Sequence, residues 1–144
     1  MPPNLVVYEN EEEYRLHYER VYCQQAHYTF GGLRVYFPEY QFDHAFFESA
    51  NRQKRDKSTF SVQRAQRIDW IKAALADAKA ELYEGWDRDR KKYVQNRRVV
   101  LVFGNYVVIL RLQKKGRSAV FVTAYVADNA TITKIRTGPK WSGV

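Results

Sequence analysis

The chain of 144 residues is poor in the residues that carry metal, redox and hinge chemistry: one cysteine (Cys23), one methionine, three histidines, four prolines and seven glycines. A single cysteine excludes an intrachain disulfide and fits a reducing compartment. With the three histidines scattered and none at ligand spacing, no metal site is expected. No run approaches the ~20 apolar residues that a membrane-spanning helix needs. The opening Met1-Pro2-Pro3, a short apolar tetrad and then acids lack the layout of a signal peptide. The expected location is cytoplasmic, with no membrane partner. A Gly-rich phosphate loop, a dinucleotide fingerprint, a Ser-His-Asp elbow and a two-carboxylate arrangement are also absent. No cofactor is therefore expected.

What is abundant is positive charge, and it is unevenly placed. Residues 1–50 carry three basic and eight acidic side chains, whereas residues 51–144 carry 21 basic and eight acidic ones. Hydrophobic residues make up 45% and charged ones 28%, with 11 tyrosines and three tryptophans. This is the composition of one globular domain spanning residues 1–144. A cationic surface rich in aromatics is the footprint of a polyanion partner.

The pattern along the chain predicts an α+β fold. Residues 5–8 are β-prone, and the acids of 9–13 suit the start of a helix running to Tyr22. Gly31-Gly32 precedes an alternating strand over 33–37, which stops at Pro38. Residues 40–50 read as a short helix and 51–59 as a charged loop. Residues 61–79 are the strongest helix, with Ser61 as N-cap and Ala65, Ile68, Ile71, Ala74, Leu75 and Ala78 forming an apolar stripe. Strands follow at 81–86, 99–103, 106–112 and 119–126, with a tight turn at Gly104-Asn105 and a charged loop or irregular hairpin over 87–97. The near-continuous Val/Ile/Leu of 99–110 predicts strands packed on both faces, or on one face by the long helix. A short helix over 131–136 ends the pattern.

Several side chains are candidates for chemistry. His44 lies in Phe42-Asp43-His44-Ala45-Phe46-Phe47. On an ideal helix it sits about 200° from both Phe42 and Phe46, so it points away from their shared face. Glu48 is placed to pair with it. Arg64 and Arg67, three apart, share one surface and either hold phosphate or solvate the helix. Arg88, Arg90, Lys91, Lys92, Arg97 and Arg98 form either a phosphate track or a solvated loop, and Lys134, Arg136 and Lys140 form a second basic run. His17, among charged neighbours, is expected in solvent.

The order of these segments resembles the phage-type branch of the metal-independent Barnase/EndoU/colicin/RelE-like (BECR) nucleases. The resemblance is carried by Phe42-Asp43-His44-Ala45-Phe46, then Arg64-Ala65-Gln66-Arg67-Ile68-Asp69-Trp70-Ile71, then Leu82-Tyr83-Glu84-Gly85-Trp86. The strand pair around Gly104-Asn105, Phe121-Val122-Thr123-Ala124-Tyr125 and the Lys134…Lys140-Trp141 ending complete it. It covers residues 40–141 and leaves 1–39 as an acidic N-terminal extension. It implies helices packed on one face of a small antiparallel meander of three to five strands, with an RNA-cleaving site on the other face. It implies His44 as acid or base, Arg67 and then Arg64 on the phosphate, and Thr123 and Tyr125 completing the site. RNA, with tRNA or mRNA by analogy, would be the substrate, and an inhibitor or immunity protein a further partner. The acidic residues 9–19 would be the place for self-masking.

The chemistry such a site requires is a base for the 2′-OH, an acid for the leaving 5′-oxygen and cations around the phosphorane. Histidine serves either proton role near neutrality. The alternative is a non-catalytic nucleic-acid- or protein-binding module that keeps the fold without the chemistry.

Overall fold

A computed structural model describes residues 2–49, 59–87, 92–93 and 98–141, and for Trp86, Asp87, Lys92, Tyr93 and Lys114 it describes the backbone. Asn10 caps the first helix, α1 (Glu11–Tyr18), its Oδ1 accepting from the Glu13 N–H at 3.0 Å. The helix runs on into a π-helical turn, Glu19–Cys23. Tyr14, Tyr18 and Tyr22, four apart, are at most 2% exposed and lie at the centre of the main core. This overturns self-masking by residues 9–19: the acidic helix is bound by its tyrosine stripe and is no detachable cover. Leu33, Val35 and Phe37 enter the same core, so residues 11–37 share one interior with the strands that follow.

The chain turns at Gly32, whose φ of +97° suits glycine, to pair β1 (His27–Tyr28) with β2 (Arg34–Tyr36). A 3₁₀ turn, Glu39–Gln41, leads into α2 (Phe42–Ala45). The helix expected over 40–50 stops there because β3 (Phe47–Glu48) pairs with β4 (Thr59–Phe60), the Phe47 and Phe60 rings meeting edge-to-face at 5.5 Å. Residues 50–58 lie outside the described residues. Residues 5–8 form no strand either: the Val6 N–H donates to the Gln66 carbonyl, and the Tyr8 N–H to the Tyr14 hydroxyl.

The helix expected over 61–79 is two helices, α3 (Val62–Gln66) and α4 (Ile68–Ala76), separated at Arg67 (φ −96°, ψ 19°). Around the break the backbone tightens to three-residue steps, the Arg67 N–H to the Arg64 carbonyl and the Trp70 N–H to the Arg67 carbonyl. Just beyond it the Tyr22 hydroxyl is wedged into α4, donating to the Ile68 carbonyl and accepting from the Lys72 N–H at 3.0 Å. Ser61 caps α3 through the Arg64 N–H, as its position predicts. Ala65, Ile68, Ile71, Ala74 and Leu75 are buried, while Ala78 falls past α4 and is exposed.

The remaining strands are β5 (Glu81–Glu84), β6 (Trp86–Asp87), β7 (Lys92–Tyr93), β8 (Arg98–Phe103), β9 (Tyr106–Gln113) and β10 (Ser118–Val126). The segment expected as one strand over 81–86 divides at Gly85, and β6 pairs only with β7. The main sheet has six strands in the order β1-β2-β10-β9-β8-β5, rather than a meander of three to five. It is antiparallel except where β2 runs parallel to residues 118–120 of β10. The long connection between β2 and β10 permits that parallel pairing, which a tight turn would not.

The sheet has two unlike faces. The inner one (Val99, Leu101, Val108, Leu110, Ala119, Phe121) packs under α1, α3 and α4 in the tyrosine-rich core. On the outer one, Tyr83, Val100, Val102, Val107, Ile109 and Tyr125 pack with Ile132 and Ile135 of α5 (Asn129–Arg136). Helices therefore lie on both faces, which explains the unbroken apolar run of 99–110. Among the described residues no helix is long and apolar enough to cross a membrane.

Candidate phosphate-binding cleft

The cleft forms where β10 loses a neighbour. Beyond Val120 no described strand pairs with β10 on its β2 side, because β2 ends three residues before the 3₁₀ turn. The register with β9 shifts between Phe121 and Thr123, leaving an extra residue in β10. Such a bulge bends a strand and re-aims the side chains after it. The vacated edge is met by the α2 backbone and by side chains from the turn before it and from α3. Gln41 Nε2 donates to the Val122 carbonyl at 2.7 Å, and Thr123 Oγ1 donates to the Ala45 carbonyl at 3.3 Å. Arg64 Nη1 donates to both the Ala45 carbonyl and Thr123 Oγ1, each at 3.3 Å, and its guanidinium lies 5.3 Å from the centre of the Tyr125 ring.

Arg67 stands one turn further on, held by a 2.8 Å bond from Nη1 to the Gln63 carbonyl and by stacking 5.2 Å over the Trp70 ring. Between these groups is a cleft of about 280 Å³ lined by Glu48, Gln63, Arg64, Arg67, Tyr125 and Val126. Two guanidiniums face one half-exposed carboxylate there. Glu48 Oε1 lies 3.3 Å from Arg64 Nε, an ion-pair distance, but without the alignment of a hydrogen bond. Glu48 thus offsets part of the Arg64 charge, while Arg64 Nε has no hydrogen-bond partner among the described residues. Buried Arg67 Nε also has no hydrogen-bond partner among the described residues. Unsatisfied guanidinium nitrogens beside a polar cavity are costly without an anion. Burial raises the Tyr125 hydroxyl pKa, against the opposing pull of Arg64. The phenol thus stays protonated at neutral pH and can donate to an anion.

Of the residues singled out from sequence, the fold gathers Arg64, Arg67, Thr123 and Tyr125. Thr123 is 8% exposed, with its proton committed to Ala45, so it positions Arg64 instead of reaching phosphate. His44 is exposed on α2, beside the Ala45 that receives both Arg64 and Thr123, while Phe42 and Ala45 face the core. It is absent from the described lining of the cleft. The expected pairing of Glu48 with His44 is corrected: Glu48 turns to Arg64, because β3 leaves the helix direction before residue 48. Glu48 and Gln63 are lining residues that sequence reasoning missed. The i, i+4 spacing of Gln63 and Arg67 was a usable signal, and nothing local marked Glu48.

The two basic runs divide. Arg98 is exposed at the start of β8, and Lys92 lies in β7 with only its backbone described. Arg88, Arg90, Lys91 and Arg97 lie outside the described residues. Arg136 is paired with Glu81 at 2.9 Å, which spends it on holding α5 to the sheet. Lys134 is exposed on α5 and borders a smaller cavity that also touches Tyr125, and Lys140 is exposed at an isolated bridge to Tyr83.

His17 is buried at 7%, against the expectation of solvent, bridging the Tyr8 hydroxyl at Nδ1 and Asp69 Oδ1 at Nε2, both at 2.8 Å. It ties α1 and the N-terminal segment to α4. Burial and the nearby Glu39 and Glu19 push the Cys23 thiol up to about 11, which makes it a poor nucleophile. Among the described residues no three His, Cys, Asp or Glu side chains gather as a metal site requires.

Fold and cleft together define an α+β protein with a cleft lined by two arginines, a glutamate and a tyrosine. No protein-family model matches the chain, and no curated protein or solved structure matches it.

Proposed function

We propose that the protein is a metal-independent endoribonuclease of the BECR kind, cutting RNA by attack of the 2′-oxygen on its own phosphate to leave a 2′,3′-cyclic phosphate. The observation that carries this reading is the pair of buried arginine Nε atoms, Arg64 and Arg67, that have no hydrogen-bond partner among the described residues and lie beside one cleft. Guanidiniums suit phosphate oxygens because their planar fork offers parallel donors. In this reading Arg64 and Arg67 hold the non-bridging oxygens, and the Tyr125 hydroxyl donates a further bond. Glu48 takes the 2′-OH proton as the O2′–P bond forms. His44, next to the Ala45 that anchors Arg64, gives a proton to the 5′-oxygen as the P–O5′ bond breaks. Preorganised cations and one positioned proton donor are each worth ~10²–10⁴ in rate.

The test is cleavage of end-labelled RNA in EDTA. The parent is expected to produce cyclic-phosphate ends, with His44→Ala and Arg67→Ala each slower by about 10²-fold or more. Intact RNA that still binds in a salt-sensitive manner would overturn catalysis and favour the second reading, a phosphate-binding module. The observation favouring that second reading is that no imidazole lines the cleft among the described residues.

A further inference from the structure

Among the described residues, α5 packs on the outer sheet face around Val102, Val107, Ile109 and Tyr125. Another part of that face is marked out by strand register alone. Directly opposite one another across four strands stand Tyr36 (β2), Val120 (β10), Arg111 (β9) and Arg98 (β8). One step along, Tyr28 of β1 faces Arg34 of β2, which shares the outer side with Tyr36 two residues on. Three strand spacings make the row about 14 Å wide. No carboxylate occupies any of these positions.

Two features of this surface are unfavourable for the protein alone. Arg98 and Arg111 are exposed and directly paired, a like-charge opposition that weakens a sheet. Arg34 is held between two tyrosine rings, 5.5 Å from the centre of Tyr28 and 4.5 Å from that of Tyr36. Its buried Nε and the Ser118 Oγ in register with it lack hydrogen-bond partners among the described residues. Yet the tyrosines keep large faces in solvent, Tyr28 52% exposed and Tyr36 39%. Guanidiniums with no carboxylate partner among the described residues, interleaved with exposed rings on a sheet face, match a chain that alternates phosphates with aromatic bases.

We propose that this part of the outer face binds single-stranded RNA, with bases stacked on Tyr28 and Tyr36 and phosphates held by Arg34, Arg98 and Arg111. The proposal rests on the RNA reading of the cleft and extends it. β10 carries both Val120 of the row and Tyr125 of the cleft, about 15 Å apart by strand rise, so one RNA strand can cross the platform and enter the cleft. Because stacking needs unpaired bases, a duplex is the wrong ligand for this surface.

Fluorescence anisotropy of labelled oligoadenylate with the full chain tests this, beside EDTA cleavage of a dinucleotide that fills the cleft alone. Tyr36→Ala is expected to weaken oligoadenylate binding about tenfold or more. Arg111→Gln is expected to make the salt dependence shallower by close to one phosphate contact. Both variants should leave dinucleotide cleavage near the parent's, Tyr36→Ala should melt near the parent and Arg111→Gln no lower than it, and an oligoadenylate–oligouridylate duplex should bind more weakly than the single strand. Parent-like oligoadenylate binding by both variants would overturn the platform, as would no binding by the parent, or equal binding of the duplex. Weakened binding by Tyr36→Ala where nothing cleaves RNA would uphold the platform and overturn catalysis at the cleft.

Discussion

Arg15 and Arg67 are the same residue in opposite circumstances. Arg15, on the helical side of the molecule, meets Asp43 at 2.6 Å and Glu11 at 3.3 Å and lies over the Phe42 ring. The two carboxylates raise its pKa against burial, which is the largest influence and acts to lower it. Arg67, in the cleft, is held by one carbonyl and one ring, and its Nε has no hydrogen-bond partner among the described residues. The same division separates the sheet's two faces. The inner one is closed by tyrosines whose hydroxyls reach carbonyls, as Tyr18 reaches Pro38 and Tyr22 reaches Ile68. The open outer half sets arginine against arginine. The helical side has its polar groups satisfied, and the cleft and the open face leave Arg67 Nε and Arg34 Nε without hydrogen-bond partners among the described residues.

Substitutions that act on one region and spare the other sharpen this contrast. The largest effect is expected at Tyr22→Phe, which removes the hydroxyl wedged into α4 and leaves the Lys72 N–H without that acceptor. A loss of about 1–3 kcal/mol in urea unfolding is expected, with RNA affinity unchanged in the folded protein. A loss of affinity greater than that of stability would break the division.

Next comes the covered half of the outer face. Glu81 is held below the usual carboxylate range by the Tyr83 hydroxyl and then by Arg136. A carboxylate of depressed pKa stabilises the fold above its unfolded value, about 4.3, and that contribution disappears as pH falls through the folded value. Glu81→Gln should therefore melt below the parent at pH 7, and the gap should close in more acidic buffer. A gap that stays constant with pH would remove the ion pair from the account of how α5 is held.

The smallest effect carries the opposite sign. Arg111→Gln relieves the opposition to Arg98 and should raise the melting temperature by about 1–3 °C at low salt. A lower melting temperature would mean that the open half is built for stability after all.

Much of the fold was legible from short-range pattern. The buried stripe from Ala65 to Leu75, the Ser61 cap and the Gly104-Asn105 hairpin depend on neighbours three, four or two residues away, and all three are present. The break at Arg67 was not legible, because the contacts around it come from Tyr22 and Tyr106, far off in sequence. Nor was the parallel β2–β10 pair, which depends on where a long connection returns. The cleft was half legible: Arg64 and Arg67 stood out as basic residues on one surface, and Glu48 did not, since its approach to Arg64 is made by a strand pairing across residues 49–58.

The sequence alone determined the α+β class, the apolar stripe that drives α3 and α4 to the core, and an excess of positive charge after residue 50. Those properties follow from local periodicity and from composition. Only the tertiary structure decided which cations are satisfied, because compensation depends on distance through space. Asp43, 28 residues away, reaches Arg15, while β8 and β9 register places Arg98 against Arg111 with no acid between.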